Sequence, residues 1–401
     1  MKKVFREIEM LVRARTDMTR DMDEEEIQRI IDGVVLEVST QYRMTLKEKE
    51  QYATEIFNSL KRLDIVQELM DDDSITEIMI NGPGNIFYEK AGQIYQWDKR
   101  FMNEERLYNI AQQIAARSNR IVNESVPILD TRLANGSRVN IVLPPVALDG
   151  PVITIRKFYQ SPITIEKLIQ FQSITKEAAM FLDKAVKAKY NIFICGGTGS
   201  GKTTFLNALS NYIPCDERVI TIEDSAELQI QSVQNLVRLE TKNANVEGEN
   251  AISIRDLIKS SLRMRPDRIV VGEVRGAEAI DMITAMLTGH DGSLSTGHAN
   301  SPKDMLTRIE TMIMMGMDIP LMAIKNQIAS AIDIIVHLGR LRDKSRRVLY
   351  IEEVDGILDG EIRLNSLYEF IERGEENGKI IGELVQKNEL IHVNKMKGAG
   401  I

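Results

Sequence analysis

The sequence is poor in several kinds of residue, and each scarcity excludes something. Its 401 residues include two cysteines, Cys195 and Cys215, one tryptophan and 10 prolines. Two cysteines at this spacing make neither a disulfide framework nor a zinc site, so both are expected as small core residues in a reducing compartment. No stretch approaches the roughly 18 unbroken apolar residues of a spanning helix. Even AIDIIVHLG is short and carries Asp333. The N-terminus, MKKVFREIEMLVRARTDM, breaks every apolar run with charge and so lacks the continuous core of a signal peptide; a cytoplasmic chain with at most a peripheral membrane role is expected. Aromatic residues make up 5 % and the net charge is −8. Few stacking platforms and an acidic average argue against nucleic acid as the partner.

What is present is an ordinary globular composition, 43 % hydrophobic and 27 % charged, in a chain longer than a single core usually supports. Residues 1–64 read as a charged helical extension, with Val4, Phe5, Ile8, Leu11 and Val12 on one helical face. Residues 65–158 change to short strands and turns (ITEIMIN, NGPGN, NIFYE, RVNIVLPP, VITIRKF) around one amphipathic helix from Asn103 to Ser118, which predicts a small mixed α/β domain. Residues 159–172 form a linker, with YQSPI as the hinge because Pro162 disfavours helix before it. Residues 173–354 then run in βαβ order. Thr175 caps a helix to about Ala188, followed by the strand NIFIC, a glycine-rich loop, a helix from Lys202, and the strands VITIE and RIVVGE. Residues 355–401 read as a peripheral C-terminal extension. The fold class expected is α/β, a P-loop domain following a smaller mixed α/β domain.

The loop GGTGSGKTT comprises Gly196, Gly197, Thr198, Gly199, Ser200, Gly201, Lys202, Thr203 and Thr204. It satisfies G-x-x-x-x-G-K-[ST] between a strand and a helix, the context in which backbone amides cradle phosphates. Chance produces such spacing in roughly 1 % of chains of this length, and the flanking elements lower that further. Lys202 is placed to reach the β and γ phosphates and Thr203 to ligate Mg²⁺, so ATP and Mg²⁺ are the expected cofactors. Turnover needs more: a group that orients water and groups that neutralise developing charge. Glu223 and Glu273 end strands on the side where parallel sheets bind ligands. A usual Walker B strand has Asp where this chain has Gly272, so the metal is expected through water on Glu273 or Glu223. His298, in GSLSTGHANS, is the remaining candidate, although a single histidine is more often a structural hydrogen-bonder than a catalyst.

In order, GGTGSGKTT, TIEDSAEL, LRMRPDRIVVGEVRG and TGHDGSLSTGHANS resemble the Walker A, Asp box, atypical Walker B and His box of the type II/type IV secretion ATPases, in which glycine at position 272 is normal. Upstream, ITEIMINGPGNIFYEKAG, PILDTRLANGSRVNIVLPPVALDGPVITIRKF and RLETKNANVEG resemble the CpaF-like branch that drives Flp, or tight-adherence, pilus assembly. The resemblance runs from about Ile65 to Val354. It implies a RecA-like ATPase domain, a homohexameric ring, ATP between the two domains, and an inner-membrane platform protein as partner. It further implies catalytic or water-positioning roles for Glu223 and Glu273, a γ-phosphate sensor in His298, and phosphate-facing arginines at Arg132, Arg138 and Arg156. Two positions depart from the pattern: Lys242 stands where arginine is common, and the segment around Val122 and Asn123 lacks its usual acid. The tetracysteine module of type II secretion ATPases is absent, which favours the pilus branch. The alternatives are a type IV secretion or competence traffic ATPase and a nucleotide-gated assembly factor with little turnover.

Overall fold

The structure is a computed structural model describing residues 2–16, 22–158, 162–242 and 249–401. Much of the expected hinge, and the end of RLETKNANVEG, lie outside the described residues. The chain forms two compact units, Met1–Gln160 and Ser161–Ile401.

The first unit opens with three helices, α1 (Lys2–Arg15), α2 (Glu24–Tyr42) and α3 (Leu46–Lys61), followed by a short α4 (Gln67–Asp71). The starts of α2 and α3 are written locally: Asp23 accepts from Glu26 N, and Thr45 and Glu48 form a reciprocal capping box. Ile8, Val12, Ile31, Val34 and Ile56 are buried between these helices. A six-stranded sheet follows, built from β1 (Ile75–Asn81), β2 (Asn85–Lys90), β3 (Gln93–Gln96), β4 (Ile128–Arg132), β5 (Arg138–Val142) and β6 (Val152–Arg156), with α5 (Glu104–Arg117) inserted after β3. Its order is β3-β2-β1-β6-β5-β4, antiparallel throughout. Ile78, Ile80, Val139, Ile141, Ile153 and Ile155 share a core with Leu107, Ile110 and Ile114 of α5. Arg106 of α5 reaches Asp64 and Glu9, each at 2.5 Å, and so ties α1 to the mixed α/β part.

The second unit contains α6 (Ile165–Gln170), α7 (Lys176–Lys187), β7 (Ile192–Gly196), α8 (Lys202–Ser210), β8 (Arg218–Glu223), β9 (Asn235–Glu240), α9 (Ile254–Ser261), β10 (Arg268–Val271), α10 (Ala279–Leu287), β11 (Leu294–His298), α11 (Pro302–Gly316), α12 (Leu321–Ala331), β12 (Ile334–Arg340), β13 (Arg346–Leu358), β14 (Glu361–Glu376), β15 (Lys379–Gln386) and α13 (Asn394–Gly398). They build one nine-stranded sheet in the order β15-β14-β13-β12-β7-β11-β10-β8-β9. From β12 to β9 the pairs are parallel, and from β12 to β15 antiparallel. A parallel sheet is covered on both faces, and β7 is buried along its whole length. Ile192 and Ile194 enter one core while Phe193 and Cys195 enter the other. The expected α/β class, with a P-loop domain and a smaller N-terminal mixed α/β part preceded by helices, is the fold observed.

Two expectations differ. Cys195 is buried but Cys215 is exposed. The segment after Val354, read as peripheral, extends β13 and supplies β14 and β15. Its end is anchored by the buried Glu353, which accepts from Ile391 N and His392 N, and by Lys395, which bonds Asp333 and Asp291 at 2.7 Å each.

Candidate active site

The site lies at the carboxyl ends of the parallel strands. In register, Gly196 at the end of β7 stands beside His298 of β11 on one side and Leu338 of β12 on the other. The first turn after Gly196 needs glycine for space, since a Cβ there would meet Leu338 O at 2.3 Å. Gly201, the residue before α8, has φ +94°, the left-handed region that glycine tolerates. Lys202 then starts α8 and is 7 % exposed. Its Nζ donates to Gly196 O at 3.1 Å and Gly197 O at 3.0 Å and lies 3.3 Å from His298 Nδ1. Ser200 is buried, and its hydroxyl makes no hydrogen bond to the described residues.

From Lys202 a run of polar groups crosses the strand ends. His298 Nε2 lies 2.8 Å from Glu273 Oε1. Lysine can only donate, so His298 Nδ1 is the acceptor and the ring proton sits on Nε2, the nitrogen nearer the carboxylate. A neutral ring suits the environment: burial lowers the His298 pKa, Lys202, Arg275 and Arg308 act in the same direction, and only Glu273 opposes them. On its other oxygen Glu273 accepts from Arg275 Nε at 2.9 Å and Nη2 at 2.7 Å. Arg275 Nη1 continues to Asp224 Oδ2 at 3.3 Å.

Glu223, at the end of β8, is only 3 % exposed. Its Oε1 accepts from Glu227 N at 2.9 Å and Leu228 N at 3.0 Å. Burial pushes its carboxyl up to about 7, against the pull of those two amides. The side chain lies across Gly272, which is why glycine stands at that position in this strand.

The structure thus brings Lys202, His298 and Glu273 into one line of close polar contacts at the loop mouth, with Thr203 and Thr204 in the first turn of α8. Glu223 ends the strand next to β10 with its carboxylate turned into the Glu227–Leu228 turn. Arg132, Arg138 and Arg156 belong to the first unit. There they occupy one row across three neighbouring strands: Arg132 pairs with Arg138, Arg138 with Arg156, and Arg156 with Glu77 of β1. Three residues went unnoticed in the sequence. Arg275 and Asp224 stood inside recognised motifs, and their only local signal was a position just past a strand end. Arg346 of β13 donates through Nε to Gly199 O at 2.9 Å, a contact across 147 residues that no local pattern announces.

These residues fit a nucleoside triphosphate. A loop that a Cβ at residue 196 would obstruct, amides at the positive end of α8 and the buried Lys202 are together a donor set for phosphate oxygens. Among the described residues no cluster of three His, Cys, Asp or Glu side chains could hold a metal. A magnesium ion on Thr203 would therefore take most of its ligands from phosphate and water, as Mg²⁺ commonly does.

The fold and site define a P-loop domain of the RecA-like kind. Residues 59–388 match the family described as Type II/IV secretion system protein, and the chain belongs to that family. It is similar to the type IV secretion system protein VirB11 of Brucella suis, 33 % identical over 303 residues that cover 69 % of this chain and 84 % of that protein. It is also similar to the type IV secretion system protein PtlH of Bordetella pertussis, 32 % identical over 322 residues covering 74 % and 95 %. Among solved structures, the pilus retraction motor PilT with bound ADP shares the fold, with a TM-score of 0.52 at 18 % identity over 84 % of this chain and 87 % of that one. No helix among the described residues is long and apolar enough to cross a membrane.

Proposed function

We propose that this chain is an ATP-hydrolysing motor that works as a homohexameric ring on the cytoplasmic face of the membrane, powering assembly of a Flp, or tight-adherence, pilus. The observation that carries the hydrolytic part is the line Lys202–His298–Glu273, which joins the phosphate-binding lysine to a strand-end carboxylate through one neutral imidazole. Lys202 and the loop amides bind the phosphates, and Thr203 with Glu273 would hold Mg²⁺, the carboxylate through water. Bound Mg²⁺ would neutralise charge on the phosphate oxygens. Glu273 orients the attacking water, and Glu223, whose carboxylate is held by the Glu227 and Leu228 amides, is the second candidate for that role. His298, touching both Lys202 and Glu273, is placed to respond to the γ phosphate. To Arg132, Arg138 and Arg156 we assign neutralisation of phosphate charge, for which the guanidinium fork is suited. The domains that follow from this reading are a helical extension (1–64), a mixed α/β domain (65–158), a linker (159–172), the ATPase domain (173–354) and a C-terminal extension (355–401) that completes the ATPase sheet with β14 and β15.

The pilus branch rests on the motif resemblance of the two stretches before the loop and of RLETKNANVEG after it. A second reading, a type IV secretion ATPase with the same chemistry and another client, is supported by the likeness to VirB11 and PtlH. Purification of tagged full-length protein from detergent-solubilised membranes separates them, since recovery of a pilus platform membrane protein supports the first and recovery of secretion-channel components the second. The hydrolytic assignment is tested with Glu273→Gln. The variant should bind ATP as the wild type does and release phosphate at least about 100-fold more slowly, whereas unchanged turnover would remove Glu273 from the reaction. Sedimentation with Mg²⁺ and ATP should give a six-chain species, and a monomer at every concentration would contradict the ring.

A further inference from the structure

Arg275 stands two residues beyond Glu273, in the bend after β10. The bend itself is pinned, because Arg275 N and Gly276 N both donate to Glu278 Oε1, at 2.7 and 2.9 Å. From this base the guanidinium forks. Nε and Nη2 converge on a single oxygen, Glu273 Oε2, while Nη1 points to Asp224 Oδ2, just past the end of β8. The other oxygen of Glu273 faces His298. The two carboxylate oxygens are thereby divided, one held by arginine and one turned towards the line that reaches Lys202.

Stability does not explain this arrangement. The Arg275 side chain is 56 % exposed, and ion pairs this open to water contribute little to folding. Orientation does explain it. A glutamate at a strand end rotates freely unless something fixes it, and displacement of a reacting group by about 1 Å can cost about 100-fold in rate. Two donors of one rigid plane hold it while the third is anchored on Asp224, which a lysine ammonium cannot imitate.

We infer that Arg275 is a positioning residue that sets the Glu273 carboxylate by tying it to Asp224, so that the Walker B glutamate and the Asp box are aligned as one unit. The inference rests on the reading that Glu273 acts on ATP. It gives the aspartate of TIEDSAEL a task distinct from that of the neighbouring Glu223. Arg275 also lines a cavity of about 470 Å³ with Asp224, Lys242, Arg255 and Glu278, large enough to admit a small cation in place of the side chain.

The test is steady-state hydrolysis of MgATP by the full-length protein. Arg275→Ala should lower kcat about 100-fold with KM within about threefold of wild type, the signature of an interaction that matters in the transition state and little in binding. Arg275→Lys keeps the charge and loses the fork, and should stay at least about tenfold below wild type. Guanidinium chloride at millimolar concentration should restore part of the kcat of Arg275→Ala and leave the wild type unchanged, an effect that a role in folding would not produce. Asp224→Asn should lower kcat less, and adding it to Arg275→Ala should change little further, since both act through one contact. If Arg275→Ala folds poorly, Arg275→Lys and Asp224→Asn carry the decision. A variant kcat within twofold of wild type, or a rise in KM alone, overturns the inference while leaving the hydrolytic reading intact. Wild-type protein that releases no more phosphate than Lys202→Ala overturns both.

Discussion

A Cβ placed on Gly272 would lie 2.9 Å from Glu223 Cγ. The carbon chain of the glutamate that ends β8 therefore fills the space where a P-loop strand usually carries its aspartate. Two backbone amides hold Glu223 on its far side, so it cannot simply swing away. Gly272→Ala should destabilise the protein by about 1–3 kcal/mol, the usual range for overpacking. Gly272→Asp, which would recreate the familiar motif, should be worse. Thermal or urea denaturation reads both, and an alanine variant as stable as wild type would show that Glu223 moves freely.

The same burial makes Glu223 a pH-dependent element. Its carboxyl lies at about 7 in the fold against an ordinary value of 4.5, so the folded state holds the proton more tightly than the unfolded chain. Its contribution to stability is complete below about pH 4.5 and is lost as pH rises through 7. Glu223→Gln keeps an acceptor for the Glu227 and Leu228 amides and cannot ionise. Relative to wild type it should gain about 2–3 kcal/mol between pH 4.5 and 7.5, with hydrolysis reduced if Glu223 accepts the water proton. Parallel denaturation curves at every pH would contradict the raised proton affinity.

Arg156 closes a row of three arginines and faces Glu77 across β1 and β6. It is exposed at the strand end, so truncation should change stability by less than about 1 kcal/mol. If the row neutralises phosphate charge, Arg156→Ala should lower hydrolysis by at least about tenfold. A normal rate in a stable variant would return this arginine to a purely structural pairing with Glu77.

Much of this protein was legible in the sequence because its signals are local. NIFIC is a continuous apolar run that becomes the buried β7, Thr175 caps α7 where the hydroxyl predicted it, and the Asn103–Ser118 helix lies at its expected place, capped by Asn103. The phosphate loop is specified by its own glycines. What escaped depends on distance along the chain. EIRLNSLYEFIERGEE is too charged to announce a core strand, yet as β14 it pairs β13 on one side and β15 on the other. The contact of Arg346 with Gly199 exists because β12 lies beside β7 and turns back as β13. Glu223 and Glu273 looked equivalent as strand-end acids. Their difference, one turned into backbone amides and the other into His298 and Arg275, is set by side-chain surroundings that strand position does not encode.

In the proposed motor, hydrolysis of ATP depends on the line from Lys202 to Glu273. Phosphate release by the full-length protein with Mg²⁺ and ATP, measured beside Lys202→Ala, tests it most directly. The wild type should turn over steadily and the variant should fall to background, because the buried ammonium that holds the phosphates is gone. Equal rates in the two proteins, or no release from either, would contradict it.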